Sequence, residues 1–300
     1  MKQKRFAAIS GHINLILLVL LFAVWAILPA IRAYNLVANP FGRSIPSTAS
    51  IDLPVQEVHF DALDGVHLAG WLVIASPQAP TIILVHGFKQ SRVAVLPWAR
   101  FLYKAGYNIL LYDSRGCGES EGWNITAGVR EPDDVLGAVR YLKQRSDLLV
   151  KRYGVLGVSL GAGTVILAAA REPALQATIA DSAWADESEQ ISRMSHIHFL
   201  PVLPYELALA NSLIGARLED TSPLKVISHI SPRAIMLIHS ADDANATTPL
   251  SGEHQLYATA KSPKQQWIAP NGGHAGAFFA HNEEYTRRVL SFFAAYLKRT

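Results

Sequence analysis

The chain has 300 residues, half of them hydrophobic and 17% charged, enough for one large core plus an appendage. Its net charge of +3 is carried by scattered Lys and Arg, so no basic stripe marks a nucleic-acid partner. A single cysteine, Cys117, excludes an internal disulfide.

The appendage comes first. Residues 13–31 include no charged side chain and as a helix would span about 28 Å, close to the hydrocarbon thickness of a bilayer. Lys2, Lys4 and Arg5 precede the run and only Arg32 closely follows it, so the positive-inside bias predicts a cytoplasmic N-terminus and an extracytoplasmic remainder. Residues 1–33 are thus expected to form a basic start and a single-pass anchor. A cleaved signal peptide competes with this reading. The run is longer than a usual signal core, and Leu28-Pro29-Ala30-Ile31-Arg32-Ala33 offers no small-x-small cleavage site, which favours the anchor. Residues 34–53, with Pro40, Gly42, Pro46 and several Ser and Thr, read as a tether.

From residue 54 the pattern changes to alternation. Segments 55–60 and 68–74 flank Asp64-Gly65, a hairpin signal and an antiparallel start to a sheet. Short buried strands are predicted at 82–85, 109–112, 153–156, 177–180, 234–238 and 266–269. Helical patterns at 93–104, 132–144, 160–170, 251–260 and 283–297 lie between or after them. Such alternation predicts one α/β domain over 54–300, a mainly parallel sheet covered on both faces.

The chemistry-bearing residues fall in the loops. Leu84-Val85-His86-Gly87-Phe88 ends a strand in a His-Gly turn. In Asp113-Ser114-Arg115-Gly116-Cys117-Gly118-Glu119-Ser120, Asp113 and Arg115 read as loop-fixing groups, and Cys117 as a small loop residue rather than a nucleophile. Glu131, Asp133 and Asp134 open a helix, where acidic side chains suit the positive dipole end; a catalytic carboxylate pair is the minor alternative. Gly157-Val158-Ser159-Leu160-Gly161 lies between an apolar run and a small-residue helical pattern, the strand, sharp turn and helix that a nucleophile elbow requires. A long, interrupted apolar connection at 182–226, including Trp184, Phe199, Tyr205 and Leu213, reads as a cap over that elbow, with an ordinary packed helical excursion as the alternative. Its His196-Ile197-His198 lacks any metal-ligand pattern and reads as a solvated cap segment. Two candidate acids, Asp242 and Asp243, follow the strand ending near Ile238, and His274 follows the strand ending at Ala269.

In these motifs the chain resembles the α/β-hydrolase superfamily, and most nearly membrane-anchored bacterial hydrolases of the serine-aminopeptidase-like branch, from about residue 55 onward. The resemblance implies Ser159 as nucleophile and His274 as general base. It implies backbone N–H groups of Phe88 and Leu160 as the oxyanion hole. The family pattern His-Gly-x-x-Asp, counted from His239, puts the acid at Asp243, with Ser240 in place of glycine. Counting back from Thr248-Pro249 lands instead on Asn245, so a local insertion is inferred and Asp242 stays as second choice. The expected activity is hydrolysis of an ester or related acyl bond through an acyl-enzyme, on a small, partly hydrophobic substrate, with no metal or cofactor. An aminopeptidase or acyltransferase using the same residues, and a non-catalytic binding protein on this scaffold, are the alternatives.

Overall fold

The computed structural model describes residues 2–39, 45, 51–186 and 203–297. Eight strands form one sheet in the order β1-β2-β4-β3-β5-β6-β7-β8. They are β1 (Val55–Asp61), β2 (His67–Val73), β3 (Thr81–Val85), β4 (Asn108–Tyr112), β5 (Tyr153–Val158), β6 (Leu175–Asp181), β7 (Ala234–Ser240) and β8 (Lys264–Ala269). β1 and β2 pair antiparallel, as do β2 and β4, and every later pair is parallel. This is the α/β-hydrolase fold, and each strand lies where the alternation predicts it.

Period-two alternation splits each central strand between two cores. Ile83 and Val85 of β3 face a layer made by helices α3 (Glu131–Gln144) and α4 (Leu160–Arg171), through Val135, Val139, Val165 and Ile166. Ile82 and Leu84 face the opposite layer, made by α2 (Leu96–Lys104) and a C-terminal helix, Asn282–Leu297, through Trp98, Leu102, Val289 and Phe293. With both faces covered, the central strands β3, β4 and β5 are apolar over most of their length and buried throughout.

The N-terminal helix α1 runs Lys2–Val37, and His12–Val37 is long and apolar enough to cross a membrane. Pro29 is tolerated inside it. The helix continues four residues past Ala33, because nothing before Pro40 breaks it. Its last turns pack on α5 (Leu203–Ile214), where Ala33, Val37, Ala127, Ala210, Ile214 and Leu218 form a small separate core. Arg32 Nε donates to Glu206 Oε2 at 3.0 Å, and Trp25 stacks on Tyr205 with ring centroids 5.7 Å apart. Beyond the helix, the Asn39 side chain donates to Gly116 O at 3.1 Å, tying the exit of α1 to the Gly-rich loop. Of the predicted cap, Trp184 and α5 are visible, while residues 187–202, with His196 and His198, lie outside the described residues.

Candidate active site

Four strand ends converge on Ser159. The serine directly follows β5 with φ 57° and ψ −117°, a strained conformation for a side-chain-bearing residue. The elbow is possible only because its neighbours lack side chains. A Cβ on Gly157 would sit 2.1 Å from Gly161 O, and one on Gly161 would sit 2.4 Å from Val85 O. Leu160 opens α4, so its N–H is among the donors that have no partner within the helix, and the positive dipole end lies behind the serine.

Ser159 Oγ lies 2.8 Å from His274 Nε2, and His274 Nδ1 lies 2.9 Å from Asp243 Oδ2. The structure thus brings Asp243, not Asp242, to the histidine. The Asp242 carboxylate turns away to accept the Gly273 N–H at 2.8 Å and caps the turn that presents His274. Asp243 is fully buried; burial alone would raise its pKa, but His239, His274 and the Asn245 N–H outweigh this and hold the carboxyl well below its ordinary range. Asn245, the other position reached by counting, serves the loop: its N–H caps Asp243 Oδ1, and its side-chain oxygen accepts from the Thr247 N–H and hydroxyl.

Sequence reasoning treated several supporting residues only as spacing marks or passed over them. Thr248 Oγ1 lies 3.0 Å from His274 Nδ1 and 3.3 Å from Asp243 Oδ2, bridging the pair. His239 Nε2 stands 3.3 Å from the same Asp243 oxygen, wholly buried. Burial works to lower the His239 pKa, yet the surrounding Asp243, Glu253 and Asp181 carboxylates raise it overall. Below lies a polar layer. Asp181 accepts from Tyr285 Oη at 2.8 Å and from Ser182 Oγ at 3.1 Å, and burial pushes its pKa up to about 6. Ser182 Oγ also accepts the Ala275 N–H at 3.1 Å, tying the end of β6 to the histidine loop. Sequence pattern carried no signal for the Thr248–His274, Ser182–Ala275 and Asp181–Tyr285 contacts, whose partners lie about 25 to 100 positions apart.

The other side of the serine is the His86-Gly87-Phe88 turn. His86 Nε2 accepts the Ser114 N–H at 3.0 Å, so the proton sits on Nδ1, which donates to Gly87 O at 2.8 Å. Burial lowers the His86 pKa and keeps the ring neutral for this task. In a trans peptide the next N–H points opposite to the carbonyl, so pinning Gly87 O fixes the direction of the Phe88 N–H. The remaining loops are structural. Asp113 accepts the Arg92 and Glu119 N–H groups at 2.7 and 2.9 Å, and Arg115 is clamped by Asp134 and Asp64. Glu131 accepts from Thr126 and Gly128, which leaves no free carboxylate pair at the start of α3. Cys117 is buried and its thiol is pushed up to about 12 by burial. Among the described residues, no group of three or more His, Cys, Asp or Glu could hold a metal ion.

Ser159 and His274 open into a cavity of about 600 Å³, walled by Phe88, Trp98, Trp184, Phe279 and, from the end of α1, Leu36. Its described lining includes neither a carboxylate nor a lysine or arginine.

The comparisons with known proteins agree with this architecture. The model of the X-Pro dipeptidyl-peptidase (S15) family matches residues 36–262. The chain is 31% identical over 232 residues to the uncharacterized protein YfhR of Salmonella typhimurium, covering 74% of this chain and 75% of that one. It is 25% identical over 284 residues to the polyketide transferase grgF of a Penicillium species, covering 80% and 96%. Among solved structures, the Pyrococcus furiosus esterase Pf2001 superposes with a TM-score of 0.72 at 25% identity, covering 87% of this chain and 98% of that one.

Proposed function

The chain belongs to the X-Pro dipeptidyl-peptidase (S15) family, a hydrolase of the α/β fold, and from that premise we propose a membrane-anchored serine hydrolase that cleaves a carboxylic ester. The observation that carries the reading is the hydrogen-bonded series from Ser159 through His274 to Asp243, opening on an apolar cavity. Ser159 Oγ attacks the acyl carbon while His274 Nε2 takes its proton. Asp243 holds the imidazole in the tautomer that leaves Nε2 free to accept, then stabilises the imidazolium. The Phe88 and Leu160 N–H groups receive the developing oxyanion, each donor being worth about 3 kcal/mol in such sites. His274 returns the proton to the departing alcohol, and the same steps with water release the acid and restore the serine.

The described part of the cavity wall carries no charged side chain, which supports an ester over an N-terminal peptide. A dipeptidyl peptidase or aminopeptidase must bind the substrate's free ammonium group, and desolvating that charge without a carboxylate partner is costly. Among the described residues lining the cavity, no Asp or Glu is available for it. The anchor reading, with the N-terminus cytoplasmic and the catalytic domain outside, takes its orientation from Lys2, Lys4 and Arg5 ahead of the apolar run, and the burial of Ala33 and Val37 against the domain supports a retained helix over a removed leader.

Fluorophosphonate labelling of the full chain tests the reading. Wild type is expected to label and to hydrolyse 4-nitrophenyl acetate, and Ser159→Ala to do neither. Unchanged turnover in Ser159→Ala would remove the serine mechanism.

A further inference from the structure

The end of α1 belongs both to the membrane-crossing stretch and to the substrate cavity. Leu36 lines the cavity; Ala127 both lines it and packs in the small core between α1 and α5. Leu36 stands five positions after Ile31, the last residue of the uncharged run. At the helical rise this is about 8 Å, roughly the depth of one headgroup layer. Tyr205 of α5 stacks on Trp25, six positions before Ile31, about 9 Å inside the hydrocarbon edge. Where α1 crosses a bilayer, the cavity mouth therefore opens at headgroup level and the start of α5 reaches the depth of the acyl chains.

The surface here has the composition of a membrane interface. Tyr34 and Trp123 stack at 6.3 Å and are both about half exposed. Phe279, on the cavity rim, is 65% exposed, an apolar ring that water does not favour. Lys89 reaches back to the Asn35 carbonyl and lies over the Phe88 ring at 5.2 Å. Aromatic rings with a lysine among them at the end of an apolar span form the usual interfacial belt.

We propose that the cavity is loaded sideways from the bilayer, its substrate being a lipid ester whose acyl chain leaves the leaflet beside α1 and passes Leu36, Phe88 and Phe279 to bring its carbonyl to Ser159. The proposal rests on the anchored serine-hydrolase reading and adds the source and class of the substrate. It makes the α1–α5 seam a positioning element: Ala33, Arg32 and Glu206 touch no substrate but set where Leu36 stands.

The test uses the full chain in phosphatidylcholine vesicles, with 4-nitrophenyl acetate in water and 4-nitrophenyl palmitate dissolved either in the same vesicles or in separate ones. Both esters share a leaving group, so their ratio reports the acyl side alone. Palmitate in the same vesicles is expected to turn over at least about ten-fold faster than palmitate in separate vesicles, a difference of about 1.4 kcal/mol. Ala33→Trp, which wedges the seam, is expected to erase most of that advantage while fluorophosphonate labelling and acetate turnover stay within about two-fold. Arg32→Glu should act in the same direction, and adding Glu206→Arg should restore part of the loss. Equal palmitate rates from the two vesicle populations would overturn the proposal whatever the variants do, as would a seam variant that slows acetate and palmitate alike while labelling normally. A wild type that neither labels nor cleaves acetate would instead remove the serine-hydrolase reading beneath it.

Discussion

The two ends of the cavity are built by opposite means. At the floor, Ser159, Asp243 and His274 stand on the ends of β5, β7 and β8, and behind them Asp181, Ser182, His239, Glu253 and Tyr285 form a buried polar layer. At the rim, α1 meets α5 through apolar side chains, the Trp25–Tyr205 stack and the ion pair between Arg32 and Glu206. The floor specifies geometry to fractions of an ångström through directional bonds, at the cost of burying charge. The rim is held by non-directional packing, which tolerates adjustment and keeps its apolar surface turned outward. In the proposed function, chemistry and access thereby fall to parts of the molecule held by different kinds of interaction.

Substitutions should separate the two. The largest effect is expected at the floor, where Ser159→Ala should lower kcat by about 10⁵- to 10⁶-fold in steady-state ester assays. Asp243→Asn should cost about 10³- to 10⁴-fold by favouring the wrong imidazole tautomer. Asp242→Asn, whose side chain serves the Gly273 N–H and not His274, should stay within about ten-fold of wild type. Comparable losses in both aspartate variants would mean that the loop, and not one carboxylate, sets the histidine.

The cost of the polar layer can be read from pH. Burial pushes the Glu253 carboxyl from its ordinary 4.5 up to about 7, with only Gln266 donating to it, at 3.2 Å. A carboxyl whose folded pKa is raised contributes its stability below the unfolded pKa and loses it as pH rises through the folded one. Between pH 5 and 8, wild type should therefore lose up to about 3 kcal/mol at this site, and Glu253→Gln should gain on it progressively. Denaturant midpoints across that range check the sign; a constant offset would show that Glu253 does not titrate there. The smallest effect belongs to the rim. Val37→Ala, deleting two methyl groups between α1 and α5, should cost about 1 to 2 kcal/mol in local stability with turnover of acetate unchanged. Hydrogen exchange in α5 would detect it.

The same division explains what could be read from the sequence. Strands with continuous apolar runs, the Asp64-Gly65 hairpin and the Gly157 to Gly161 elbow announce themselves, because local sterics and period decide them. Counting from His239 favoured Asp243 over Asp242, but counting back from Thr248-Pro249 reached Asn245, so spacing alone left the loop's geometry open. That geometry depends on which carboxylate the loop directs at His274, and the direction comes from Asn245 and Thr248 capping Asp243. His86 was legible as part of a turn but not as the group that orients the Phe88 N–H, since its second partner, Ser114, comes from another loop. Leu36 looked like tether because the run of uncharged residues ends at Arg32. Only the docking of α1 on a helix about 170 positions later makes Leu36 a wall of the cavity.

Leu36 also has a consequence for inhibitor discovery. A protein shortened to begin after Asn39 would be easier to handle in solution, but it would bare Ala210, Ile214 and Leu218 and widen the cavity where Leu36 closes it. Compounds selected against that shortened protein would be fitted to an opening that the intact enzyme does not present. Their potency should fall when they meet the full chain, and bulky leads that grow toward the missing helix should fall furthest.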